Sequence, residues 1–223
     1  SRSKMKPTRI LTDTQKIFLD LFSQSALAKH FYLTGGTALV GFYLPYRVSD
    51  DLDFFSEEEF EIQTVVSFLK SIKNKLKYKE IDINTSFNRN LIFLKFNDFV
   101  LKTEFTYFPF TQVEKPALYK KVKVDSLRDI AANKLFTIYQ KPRSRDYTDL
   151  YIICRENNWS IKEPTKMAKV KFDWHIDPIK LGAQFLQCRE LKDYPHLLID
   201  LKEKDWQNFF LSEAKKLKEN ILS

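Results

Sequence analysis

Residues 33–55 read LTGGTALVGFYLPYRVSDDLDFF. Two of the four glycines in the protein, Gly35 and Gly36, stand side by side here. Glycine serves where the backbone takes a positive φ or must approach a ligand closely. Thr37-Ala38-Leu39-Val40 then starts a helix, so the backbone N–H groups of Gly36 and Thr37 point out of a helix N-terminus. That arrangement binds anions, phosphate above all. Further on, Asp51-Leu52-Asp53-Phe54-Phe55 alternates acid and apolar residue as a strand does. A period of two puts both carboxylates on one face. Two carboxylates on one face repel, and a shared divalent cation with a preference for oxygen ligands, Mg²⁺ or Mn²⁺, relieves the repulsion. A phosphate cradle followed by a metal-binding acid pair outlines a phosphoryl-transfer site.

Tyr32 to Leu39 (YLTGGTAL) together with Arg47, Ser49, Asp51, Leu52, Asp53, Phe54 and Phe55 resembles the AbiEii toxin family, within the DNA polymerase beta-like nucleotidyltransferase superfamily. The resemblance continues at Ala131-Ala132-Asn133-Lys134-Leu135 and at Arg143 to Tyr151, which contains Asp146 and Asp149. It implies an enzyme that moves a nucleotidyl group from an NTP to an acceptor hydroxyl. The acceptor is a tRNA 3′ end, another RNA or a protein. It also implies the toxin half of a toxin–antitoxin or phage-defence pair, with a cognate antitoxin as partner. By that analogy Gly35, Gly36, Thr37, Arg47, Ser49, Lys134 and Asp146 meet the nucleotide and its phosphates. Asp51, Asp53 and Glu104 hold the metal, and Lys134 and Asp149 join Asp51 and Asp53 in catalysis. Glu104 departs from the Asp usual in relatives. A catalytically inactive module of the same fold that binds nucleotide or RNA, and a metal-dependent phosphohydrolase, are the alternatives.

At 223 residues, 43 % of them hydrophobic and with 20 Phe and 10 Tyr, the chain has enough apolar surface for a substantial core. A net charge of +8 favours anionic partners such as nucleotides and RNA. No run approaches the roughly 20 apolar residues of a membrane span. Ser1 to Met5 is not followed by a secretion-like stretch, so a cytoplasmic protein is expected. Cys154 and Cys188 lack metal-ligand spacing and read as core thiols. A P-loop is excluded by the missing Gly-Lys-Ser/Thr, and a calcium loop by Leu52 and Phe54.

Apolar spacing predicts helices over 13–29, 37–44 and 57–77, the first opened by Thr12 and Asp13 with Ile17, Phe18, Leu21, Phe22 and Leu27 inward. A buried strand through Phe31 and Tyr32 leads into the glycines, and strands follow over 81–87, 91–96 and 99–108. Their turns are expected at Asn88-Arg89-Asn90 and Asn97-Asp98. Glu104 shares a strand face with Lys102, and a solvated edge-strand pair with that lysine is its alternative reading. Beyond Pro116 the pattern is helical: 126–139 (capped by Ser126), the run from Arg145, 161–172, 178–188 and 204–222, with Trp159, Trp174 and Trp206 as packing anchors. Asp149 has a one-turn ion pair with Arg145 as its alternative role, and Asp146 a dipole-favoured place in a first turn. The expected class is α+β. A nucleotidyltransferase-like mixed sheet flanked by helices fills residues 1–110, and a helical bundle, residues 111–223, packs on it and completes the active site.

Overall fold

The sheet is ordered by which residues face the core. In the computed structural model, which describes residues 5–222, seven strands among the described residues form one mixed sheet in the order β3-β4-β5-β2-β1-β7-β6. They are β1 (Tyr32–Thr34), β2 (Leu52–Ser56), β3 (Glu80–Ser86), β4 (Arg89–Lys95), β5 (Val100–Tyr107), β6 (Ala117–Tyr119) and β7 (Val122–Val124). β2 runs parallel to β5 and β1 parallel to β7, while the other pairs are antiparallel. Register sets one face. Leu33, Phe54, Phe105 and Ile92 are fully buried, and α1 (Asp13–Ser23) and α3 (Ile62–Leu76) bring Phe18, Phe22 and Phe68 to that side. Phe22 stacks on Phe54 at 4.4 Å and Phe54 on Phe105 at 5.1 Å, a geometry aromatic rings favour. The opposite face carries Thr34, Asp53 and Glu104 in one row, with Thr34 opposite Asp53 and Asp53 opposite Glu104.

The chain divides into two compact units. One runs to Pro45 and resumes over Ser49–Ser126; the other takes Tyr46–Val48 and Leu127 onward. The division falls later than the expected boundary near residue 110. Val122 and Val124 are wholly buried in β7 against β1, so the sheet continues past Pro116, where only helix was expected. Two strands of three residues are too short for period two to register. The second unit holds α4 (Leu127–Gln140), α5 (Ser144–Asn157), α6 (Lys162–Phe172), α7 (Pro178–Leu186) and α8 (Glu203–Leu222). Tyr147, Phe185 and Phe210 are fully buried within it. Trp206 anchors the same core at 2 % exposure, whereas Trp174, expected as an anchor, is 56 % exposed and meets Phe136 edge to face at 6.4 Å. Tyr46–Val48 joins this unit because Val48 N–H donates to the His196 carbonyl and Leu198 N–H to the Tyr46 carbonyl.

Other expected boundaries shift for local reasons. α1 stops at Ser23, where Ser23 and Ser25 hydroxyls donate back to the Asp20 and Phe22 carbonyls and end the regular ladder. Ile17 faces outward at 46 % exposure, and Leu19, fully buried, takes the inward place. α3 begins at Ile62 and not at Glu57. The β3–β4 turn is Phe87-Asn88, with Arg89 and Asn90 already paired in β4. Both cysteines are buried and unbridged. Burial pushes the Cys154 thiol up to about 12 and the Cys188 thiol up to about 11, as expected of inert core groups. Among the described residues, no helix is long and apolar enough to cross a membrane. Of the N-terminal residues considered above, Ser1 to Lys4 lie outside the described residues.

Candidate active site

Gly35 begins α2 (Gly35–Phe42) with φ +72°, a conformation L side chains seldom adopt. It also has no room for a side chain, because a Cβ there would stand 2.6 Å from Asp53 Oδ2. The glycine turn and the acidic strand, separate in sequence, are thus pressed together. Thr34 opposes Asp53 across β1 and β2, which sets the carboxylate over the start of the helix. Thr34 occupies the N-cap of α2 but makes no side-chain cap, since its hydroxyl donates to Asp125 Oδ2 at 2.7 Å. The first N–H groups of α2, Gly36 among them, are therefore left without a side-chain cap, as an anion site requires. Gly35→Ala is expected to lose activity without losing the overall fold, because the new methyl displaces Asp53. Turnover within twofold of the unsubstituted protein, with a crystal structure showing Asp53 unmoved, would refute the coupling.

The segment between the glycines and the acids is clamped. Thr37, fully buried, donates to the Asp51 carbonyl and shares a 2.8 Å hydrogen bond with Ser49 Oγ. Gln15 Nε2 donates to the Ser49 and Asp50 carbonyls at 3.0 and 3.2 Å. The same Gln15 closes a capping box with Thr12 at the start of α1. Spacing marked Thr12 as a cap, but nothing local showed that the Gln15 amide holds the acidic segment 34 residues away. The Thr37 and Ser49 hydroxyls thereby face each other and the backbone.

The acids have resident cations. Lys102 Nζ lies 2.9 Å from Asp51 Oδ2. Both Glu104 oxygens are engaged: Arg89 reaches Oε2 at 2.7 Å and Thr106 Oγ1 donates to Oε1 at 2.8 Å. Arg89 gains basicity chiefly from that hydrogen bond, with Asp53 and Asp51 adding to it against the cost of burial. The alternative reading of Glu104, as a solvated edge-strand partner of Lys102, is ruled out on two counts. β5 lies between β4 and β2 and is not an edge, and the partner of Glu104 is Arg89 rather than Lys102. Arg89 was hidden because its neighbours Asn88 and Asn90 read as a turn. Among the described residues, no three of His, Cys, Asp or Glu converge closely enough to hold a metal ion by themselves. The hard oxygens of Asp51 and Asp53 nonetheless suit Mg²⁺, which typically takes one or two carboxylates and completes its shell with water and substrate phosphate.

The remaining candidates gather in the second unit. Arg47, 3 % exposed, grips Asp149 with Nε at 2.7 Å and Nη2 at 2.9 Å. Lys134 Nζ lies 2.7 Å from both Asp146 Oδ1 and Asp149 Oδ2. Tyr46 donates its hydroxyl to Asp149 at 2.5 Å, and Arg143 N–H donates to Asp146 Oδ2 at 3.0 Å. Arg145, the alternative partner, takes no part in these contacts to Asp149. Burial opposes ionisation of Asp149, yet Arg47 and Lys134 outweigh it and hold the group far below the usual carboxylate range. Asp146 is likewise lowered against burial by Lys134 and Arg143. Arg47 is raised by Asp149 in spite of its desolvation. Lys134 keeps 10 % of its side chain exposed, more than either carboxylate it holds. His30, exposed and 3.3 Å from Glu58, belongs to neither group.

The family model for the nucleotidyl transferase AbiEii toxin, of type IV toxin–antitoxin systems, matches residues 17–215. The chain belongs to the AbiEii family. This AbiEii protein is 26 % identical over 219 residues to the uncharacterized protein aq_aa25 of Aquifex aeolicus, covering 95 % of this chain and all of that one. Its fold is shared with JHP933 of Helicobacter pylori, at a TM-score of 0.60 and 18 % identity over 94 % of this chain and 92 % of the other. A candidate nucleotidyltransferase of H. pylori superposes with a TM-score of 0.58 at 19 % identity, covering 95 % and 97 %. The AbiEii chain is accordingly an α+β protein of nucleotidyltransferase type.

Proposed function

We propose that this AbiEii protein transfers an NMP from an NTP to a hydroxyl of an RNA, a tRNA 3′ end included, or of a protein. We further propose that it acts in the cytoplasm as a toxin in growth arrest or phage defence, opposed by a cognate antitoxin. One observation carries the reading: Gly35, at the uncapped start of α2, is packed against Asp53. A phosphate group bound by the α2 N–H groups thus lies beside the carboxylate that holds its counter-ion.

Asp51 and Asp53 hold Mg²⁺ or Mn²⁺ and, with the helix start, orient the triphosphate. The metal supplies charge neutralisation at the transferring phosphoryl group and a more acidic acceptor hydroxyl. Glu104 serves as a third ligand once Arg89 releases it. Thr37 and Ser49 keep the acidic segment in register. Arg47 and Asp146 act on Lys134 and Asp149 in place of the phosphate contacts suggested by sequence, because their charges are already matched there. Asp149 is a poor proton acceptor with so depressed a pKa, so it positions Lys134 and does not serve as a base. Lys134, more exposed than either carboxylate it holds, carries the positive charge offered to the nucleotide.

The test is a panel of α-labelled NTPs with Mg²⁺ and with total cellular RNA or protein as acceptor. Label joined to one acceptor class with release of pyrophosphate is the expected result. Nucleotide released to water would indicate a phosphohydrolase instead, and binding without chemistry an inactive module.

A further inference from the structure

The acidic face of the sheet carries its own cations. Asp51 is paired with Lys102, and Glu104 with Arg89. Asp53 sits between them, opposite Glu104 in the β2–β5 register, and adds to the field felt by Arg89. All of these side chains share one face: Lys102 and Glu104 are two apart on β5, and Arg89 stands opposite Thr106 on the other flank. Clustered carboxylates of this kind repel each other unless positive charge is placed among them. The two resident cations supply two unit charges, the charge of one Mg²⁺.

We propose that Lys102 and Arg89 are exchangeable counter-ions. In the absence of metal they hold the acid cluster; when a divalent ion arrives with a polyphosphate chain, the ion takes the carboxylates and the two side chains transfer to the phosphate oxygens. The inference rests on the nucleotide-binding reading above and assigns two residues to it that the sequence reading did not. Exposure permits the exchange. The Arg89 side chain is 51 % exposed and that of Lys102 is 26 % exposed, so both can turn outward without opening the core. Their chemistry suits the destination: a guanidinium pairs with phosphate through two parallel hydrogen bonds, and an ammonium meets it as a mobile point charge. The positive charge beside the carboxylates is unchanged by the exchange, because one divalent ion replaces two monovalent side chains, so no carboxylate is stripped of its counter-charge.

The proposal makes opposite demands on metal and phosphate affinity. Mn²⁺ alone, titrated by electron paramagnetic resonance, must compete with the resident cations. Lys102→Met and Arg89→Met are therefore each expected to bind it roughly tenfold more tightly than the unsubstituted protein, within the effect of one unit charge at this range. Inorganic triphosphate in the presence of saturating Mn²⁺, followed by calorimetry, should bind roughly tenfold more weakly to both variants. Lys102→Gln gives a second route should the methionine variant not fold, and circular dichroism establishes that each protein is folded. Mn²⁺ affinity that is unchanged, weakened or undetectable in all the folded proteins overturns the exchange. Weaker triphosphate binding with unchanged Mn²⁺ affinity also overturns it, leaving the two residues as simple phosphate contacts. The outcome is separable from that of the transfer assay: transfer with unaltered Mn²⁺ affinity removes only the exchange, and exchange without transfer removes only the enzymatic reading.

Discussion

Asp53→Asn should leave a folded protein that no longer transfers nucleotide. The substitution keeps side-chain volume but replaces an anionic oxygen ligand by a neutral amide. Asp53 is the carboxylate packed against Gly35, so on the proposed function its loss acts at the point assigned to both phosphate and metal. Removal of one preorganised electrostatic group costs about 3–4 kcal/mol in the transition state, on the order of a 10²–10³-fold fall in rate. A metal ligand is expected at or beyond the upper end. Asp51→Asn should follow the same direction, with Lys102 then lacking its carboxylate partner. The measurement is acceptor labelling at saturating NTP and metal, with thermal unfolding as control. Near-normal labelling by folded Asp53→Asn would remove the metal role from this face of the sheet.

Lys134→Met is expected to destabilise the second unit severely, whatever it does to catalysis. The ammonium lies between two carboxylates that are both 0 % exposed. Without it, Asp146 and Asp149 keep only Arg143 and Arg47 as cationic partners. Breaking a buried ion pair by removing one partner costs about 3–5 kcal/mol. Methionine preserves most of the volume, so the loss reports charge rather than a cavity. Because both carboxylates titrate lower in the folded protein than their usual value of 3.8, their contribution is present above that value. It is lost as pH falls below 3.8 towards the folded-state values. The stability difference between variant and parent should therefore be large at neutral pH and shrink in acid. Chemical denaturation at a series of pH values checks this. A difference under 1 kcal/mol at neutral pH, or one independent of pH, would mean that the cluster does not depend on Lys134. Activity of the variant is best compared below its unfolding temperature, where a fall in kcat at constant KM would indicate charge delivered in the transition state.

Several features were legible in the chain because their signals are local. Gly35 betrays a positive φ through the adjacent pair of glycines, and Asp51 with Asp53 betrays a strand face through period two. Phe18, Phe22, Phe68 and Leu69 announce the core faces of α1 and α3 through helical spacing. The motif from Tyr32 to Phe55 identified the family, which the match over residues 17–215 shows. Other features depended on strand neighbours and left no local trace. β6 and β7 have three residues each, too few for a period, and exist because Val122 and Val124 fit beside β1. Arg89 looked like part of a turn until β4 set it beside β5 and within reach of Glu104.

By itself, then, the sequence determined the family, the acid-and-glycine pattern on which the phosphoryl-transfer proposal rests, and which faces must be buried, since these follow from residue type and spacing. Tertiary structure decided the partners. Arg47 was assigned to phosphate but closes on Asp149, 102 positions away, and Lys134 is held by two acids from the next helix. Partner choice depends on distances created by folding and on the removal of water, which makes an unpaired charge costly. No one-dimensional pattern encodes those two quantities.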